Sequence, residues 1–249
     1  MSNTTTVVTV PCFSGAPWEL DQLGPLAHRP LQTMRLPEAV DDIEAYADFV
    51  VTQVRGVDDY VLVGDSFGAV IALAFATRRP SGLRGLVLSG GFAANPVTSP
   101  LVRAKIGAAR FLPGALYRQI TLRFHAASLA SPHDREGQRP LDATDFRMLF
   151  LENTPWQSYT ARAHAAFSAD YRNRLHHIEV PTLIITPSHD KLIGPEAAKA
   201  MLDRIPDATE VVLDRTGHMF RFTHPHTYAA AVESFIASKV APRVHAGTA

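Results

Sequence analysis

The sequence predicts an α/β fold, a mostly parallel sheet of about six strands with helices on both faces and a helical insertion. Three observations carry this. Short β-branched runs alternate with longer amphipathic stretches near both ends of the chain, the alternation stops between residues 94 and 178, and Gly, Pro, Asp and Ser cluster where one element gives way to the next. Strands are expected at 6–10, 32–35, 60–64, 83–89, 183–186 and 210–213. Helices are expected at 40–54, 67–78, 195–205 and 225–240. In the first of these, Ile43, Ala47, Val50, Val51 and Val54 recur at intervals of one turn and so share one buried face. Pro195 suits a first helical turn, and Pro80 with Gly82 ends the helix that starts at residue 67.

The interrupted stretch contains four helical segments, at 101–111, 114–127, 143–151 and 159–171, and no convincing strand. Residues 1–93 and 179–249 are therefore expected to form one core domain, and 94–178 a helical cap inserted between two of its strands. The insertion is rich in Phe111, Leu112, Phe124, Met148, Phe150, Trp156, Tyr159, Phe167 and Tyr171, as an apolar lid with its own small core would be. Its most loop-like part is 131–140.

A chain of 249 residues, 46% hydrophobic, is long enough for one substantial core plus such an insertion. The 24 basic and 24 acidic residues balance, and no Lys/Arg run has the length of a nucleic-acid or membrane-surface patch. A small-molecule partner is expected, with neither nucleic acid nor membrane. Cys12 is the single cysteine, which excludes an intrachain disulfide. No positively charged signal-peptide start precedes the short apolar run at 7–10, so a cytoplasmic location is expected.

The most informative segment is Gly64-Asp65-Ser66-Phe67-Gly68, set between an apolar strand and an Ala-rich helix. A plain βα turn whose serine caps the helix is one reading. The other is a nucleophile. In a G-x-S-x-G reversal the serine is strained so that its Oγ stands clear of the sheet, and the glycines remove Cβ atoms that would collide. The backbone N–H of Phe67, at the helix N-terminus, could then donate to an oxyanion. A serine hydroxyl needs a histidine to take its proton and a carboxylate to orient that histidine. The expected strand at 183–186 runs out into a loop carrying Asp190, and the next strand leads through Asp214 to Gly217-His218. In a parallel sheet both loops emerge on the edge that carries Ser66. Asp214 competes with Asp190 as the acid. His189 neighbours Asp190 without thereby becoming a base. His176-His177 and His224-Pro225-His226 lack the spacing of a zinc site, so no metal is expected, and Cys12 reads as a packing residue.

The chain resembles the α/β-hydrolase superfamily over nearly its whole length. The likeness rests on Gly64 to Gly68, on Pro181 to Ile193 and on Gly217-His218 before a terminal helix. What it implies is a catalytic triad of Ser66, Asp190 and His218, a helical cap, and a second oxyanion donor on the loop after the first strand. That loop reads Pro11-Cys12-Phe13 where relatives commonly carry His-Gly-x, so the implied donors are the N–H groups of Phe13 and Phe67. The implied activity is cofactor-free serine esterase chemistry through an acyl-enzyme, on a small apolar or aromatic substrate. Trp18, Phe124, Trp156 and Met219 are candidate pocket residues. Carbon–carbon hydrolase, lactonase, thioesterase and lyase reactions on the same triad are alternatives, as is a ligand receptor built on this fold.

Overall fold

The computed structural model describes residues 5–19, 24, 26–97, 100–101, 104, 111–130 and 141–240. Six strands form one sheet: β1 (Thr6–Val10), β2 (Leu31–Thr33), β3 (Tyr60–Asp65), β4 (Leu83–Ser89), β5 (Thr182–Pro187) and β6 (Ala208–Leu213). Their order is β2-β1-β3-β4-β5-β6, and every pair is parallel. The order reverses at β1, β3 lies centrally, and the loops leaving β3, β5 and β6 open on one edge. That edge is where ligands bind in open α/β sheets.

Period-two alternation explains why both faces of the sheet are covered. Along β3, Tyr60 and Leu62 enter one hydrophobic cluster while Val61 and Val63 enter another. The same split separates Leu86 and Leu88 from Val87 on β4. The first cluster is covered by α1 (Ile43–Gln53), α2 (Phe67–Ala76) and α6 (Pro195–Leu202), the second by α8 (Pro225–Lys239) with Trp18 and Leu26. All ten residues of α2 are buried, so its sequence is apolar all round and carries no amphipathic stripe. α1 buries Ile43, Ala47 and Val50 of the expected face together with Tyr46, whereas Val51, one position round the helix from Val50, is exposed; the helix starts at Asp42, whose carboxylate accepts from the N–H groups of Glu44 and Ala45.

Between β4 and β5 the described residues hold α3 (Gly114–Leu129), α4 (Ala143–Asn153), α5 (Trp156–Ser168) and a 3-10 turn at Leu175–His177. α4 opens with a capping box in which Asp142 and Asp145 satisfy each other's backbone N–H groups. A bridge between Ala94 and Asp170 joins the two ends of this excursion, with Tyr171 N–H donating to Ala93 O at 2.7 Å. α5 starts earlier than 159, on Pro155, and stops before 171 because Ala169 to Tyr171 are taken up by that bridge. The expected helix at 101–111 falls largely, and the loop 131–140 wholly, outside the described residues. β2 is shorter than expected, and a single turn of helix, α7 (Phe220–Thr223), precedes α8.

Candidate active site

Ser66 links β3 to α2 at φ 55° and ψ −114°. Few residues other than glycine adopt a positive φ, and a serine held there stores strain of about 1–3 kcal/mol. Its flanking glycines are required by space. A Cβ on Gly64 would come within 2.7 Å of Ala69 Cα, and one on Gly68 within 2.5 Å of the Pro11 carbonyl. The turn is therefore pressed against both its own helix and the loop after β1. That contact sets the Phe67 end of the turn beside Phe13, whose rings meet edge to face at 5.6 Å.

His218 lies on the loop between β6 and α7, and its Nε2 is 2.7 Å from Ser66 Oγ. Its Nδ1 is 2.8 Å from Asp190 Oδ2. The other Asp190 oxygen accepts from Leu192 N–H and Ile193 N–H at 2.8 and 2.9 Å, which fixes the carboxylate. Both side chains are almost fully buried, 1% exposed for His218 and 4% for Asp190. Burial opposes the imidazolium, but the Asp190 carboxylate and its hydrogen bond, with Asp65 further off, raise the His218 pKa above the ordinary histidine value. Burial likewise opposes the Asp190 carboxylate, and His218 with the two backbone N–H groups outweighs it and holds the pKa below the usual range. The structure thus brings Ser66 together with two residues from the far end of the sequence, Asp190 and His218. Asp214 stays exposed on its strand's end, and the exposed His189 bonds the Ser188 hydroxyl.

Comparison with known proteins adds to this geometry. The family described as Serine aminopeptidase, S33 (Hydrolase_4) matches residues 28–222. The chain belongs to this α/β-hydrolase family. It is 26% identical over 203 residues, 78% of this chain and 75% of the other, to a pimeloyl-[acyl-carrier protein] methyl ester esterase of Neisseria meningitidis serogroup B. It is 27% identical over 205 residues, 78% of this chain and 68% of the other, to 2-hydroxy-6-oxononadienedioate/2-hydroxy-6-oxononatrienedioate hydrolase 2 of Pseudomonas putida. Among solved structures, a hydrolase from Pseudomonas aeruginosa PA01 superposes with a TM-score of 0.77 at 18% identity, covering 96% of this chain and 92% of that one.

Phe13, whose ring meets that of Phe67 beside Ser66, and Tyr117, Phe146, Phe150, Tyr159 and Met219 form a cluster shared between the core and the helices α3 to α5. Met219, a candidate pocket residue, is buried in this cluster. Trp18 does not join it: the indole packs in the cluster on the sheet's other face, 4.2 Å from the Arg221 guanidinium and close to Tyr228. Phe124 is 76% exposed, because the buried stripe of α3 runs through Tyr117, Leu122, Ala126 and Leu129 and leaves it on the opposite side. Trp156 is 41% exposed at the start of α5, its ring lying against Gly114.

Two groups that sequence reading passed over also border the site. His125 sits among Phe13, Phe150 and Tyr159, with Nδ1 3.3 Å from the Tyr159 hydroxyl. Burial, with the charge of His218 nearby, drives its pKa down to about 3, so it is a neutral polar group in an aromatic pocket. Asp65, the residue before Ser66, accepts from Arg221 Nε at 2.7 Å in an ion pair of which neither side chain is more than 4% exposed. Arg221 is in turn sandwiched between Trp18 and Phe222. The one signal that could have found these is a charged or ionisable residue placed in an otherwise apolar run. Among the described residues no group of three His, Cys, Asp or Glu side chains could hold a metal ion. The rings of His176 and His177 meet edge to face, and His224 and His226 lie at the start of α8.

Proposed function

We propose that this hydrolase cleaves a carboxylic ester of a small, apolar or aromatic substrate through an acyl-enzyme on Ser66. The observation that carries the reading is the continuous chain from Ser66 Oγ to His218 Nε2 and from His218 Nδ1 to Asp190, at 2.7 and 2.8 Å. In the first half-reaction His218 accepts the Ser66 proton as Oγ attacks the ester carbonyl. The resulting oxyanion is held by the N–H groups of Phe13 and Phe67. Collapse expels the alcohol, which takes the proton from His218, and a water activated by the same imidazole releases the acid. Asp190 keeps the Nδ1–H tautomer and supports the positive charge that forms on the ring. No cofactor enters this scheme.

The segment 94–178 acts in this reading as the cap, joined to the core at the Ala94–Asp170 bridge and supplying the aromatic wall of the acyl pocket. A cytoplasmic site of action is part of the proposal, supported by the single, free and buried Cys12 and by the absence of any membrane-length apolar helix among the described residues. Carbon–carbon cleavage is the second reading, favoured by the resemblance to the Pseudomonas putida enzyme and by a second imidazole, His125, close to the triad.

A p-nitrophenyl ester series, run with a fluorophosphonate label and with Ser66→Ala alongside, tests the first reading. Turnover and labelling that both vanish in the variant are expected. Labelling without turnover of any ester would transfer support to the carbon–carbon reading, and absence of both would overturn the serine mechanism.

A further inference from the structure

The loop after β1 lacks the His-Gly that gives relatives of this fold their usual turn, yet it must hold one backbone N–H in a fixed direction. Residues 12–15 form a tight turn closed by Gly15 N–H donating to Cys12 O at 2.9 Å. This bond orients the peptide plane that carries the Phe13 N–H. The next two carbonyls are held from the insertion. Arg162, on α5, donates from Nη1 to Phe13 O at 2.9 Å and to Ser14 O at 2.8 Å. Thr154 Oγ1 adds a second donor to Ser14 O at 3.1 Å, and Gly15 O accepts from Leu36 N–H at 3.0 Å. Every carbonyl of the turn is thereby fixed.

Arg162 is built into this place. It is 2% exposed, and its remaining bonds run to Pro37 O and to the Tyr46 hydroxyl, each at 3.4 Å. Tyr46 in turn meets the Phe67 ring edge to face at 5.3 Å, so the guanidinium contacts the surroundings of both oxyanion donors. Among the described residues its partners are carbonyls and a phenol, with no carboxylate. An arginine buried without a counter-ion is costly unless its charge is used, and carbonyl oxygens of one turn neutralise it only in part. Gly15 makes room for it. At φ +73° a side chain there is already strained, and a Cβ would lie 2.5 Å from Arg162 Nη1.

We infer that Arg162 is a positioning residue for the reaction: it locks the 12–15 turn so that the Phe13 N–H points at the developing oxyanion, and it lends that turn a positive field. This inference rests on the esterase reading above. It assigns to the cap a part in the chemistry as well as in substrate selection. It also accounts for how a Pro11-Cys12 sequence can serve where His-Gly is usual, since the turn's geometry is imposed from outside the loop.

The test compares Arg162→Lys, Arg162→Met and Thr154→Val with the wild type by three readouts. These are steady-state hydrolysis of p-nitrophenyl butyrate, inhibition by an alkyl trifluoromethyl ketone whose hemiketal oxygen mimics the oxyanion, and amide hydrogen exchange of the segment containing residues 12–15. Arg162→Met is expected to lower kcat by about 10–100-fold, less than the roughly 100–1000-fold cost of removing an oxyanion donor outright because the Phe13 N–H is misaligned and not deleted, with KM within about twofold. Ketone inhibition should weaken in parallel and protection of the turn should be lost. Arg162→Lys, which keeps the charge but not the fork, should fall between. Unchanged kcat and ketone affinity, with only a lower melting temperature, would reduce Arg162 to a strut and overturn the inference. If Arg162→Met does not fold, the lysine variant and Thr154→Val carry the same comparison. If the wild type turns over no ester, the esterase reading has failed on its own, and hydrogen exchange still decides whether Arg162 holds the turn.

Discussion

At the residue, the proposed chemistry turns on proton custody. Ser66 Oγ and Asp190 sit on opposite ring nitrogens of a buried His218, so the imidazole can take a proton from one side while its charge is stabilised from the other. Replacing Ser66 or His218 with alanine should cut kcat by about a thousandfold or more, leaving KM comparatively unchanged, as steady-state kinetics would show. The pH dependence has a definite sign. Only neutral His218 accepts the serine proton, and Asp190 raises its pKa, so kcat/KM should climb with pH through a midpoint above the unperturbed value of about 6.5. Asp190→Asn removes the cause of that elevation. It should move the midpoint to lower pH while lowering kcat, and a profile that stays flat between about pH 5 and 8 in the wild type would exclude a histidine base.

At the level of elements, the Ser66 turn is clamped from two directions, and only one of them was legible in the sequence. The glycines at 64 and 68 declare a reversal with no room for Cβ atoms, and the structure shows the carbonyls and helix backbone that fill that room. The Asp65–Arg221 pair was not legible, because nothing in either neighbourhood says that the residue before the serine reaches the third residue after the histidine. It joins the turn to α7, the element that follows His218. Removing one partner of a buried pair strands the other charge, so Arg221→Met should destabilise the fold by about 3–5 kcal/mol in urea denaturation. The same contrast holds elsewhere. Strand and helix positions follow from periodicity, which is local, whereas Phe124, placed in the pocket by its size alone, is 76% exposed because the face of α3 that turns inward depends on what packs against it. Arg162 escaped notice for the same reason: its role exists only once α5 is laid over the loop after β1.

For the whole molecule, the question is whether the insertion is a detachable roof or part of the frame. The sheet carries its own two clusters, and most of their residues come from β1, β3, β4, β5, α1, α2 and α8. The insertion's helices are gathered chiefly in a third cluster, which touches the core at Phe13, Met219 and Leu192. Its ends lie side by side at the Ala94–Asp170 bridge, so a short Gly/Ser linker could close the gap left by residues 96–168 without pulling β4 from β5. Such a deletion should leave a cooperatively unfolding α/β core, with reduced helix content by far-UV circular dichroism. Activity should suffer more than folding. The deletion takes away Tyr159 and Phe150 from the aromatic cluster around Phe13, and with Arg162 it takes away hydrogen bonds that hold the 12–15 turn. Residual hydrolysis should therefore show little preference for acyl length together with a low kcat, since selection and oxyanion geometry are lost at once. A deletion protein that keeps full kcat would mean that the core alone orients its oxyanion donors. One that fails to unfold cooperatively would mean that Ala165 and Ala166, which α5 lends to the main cluster, are integral to the core.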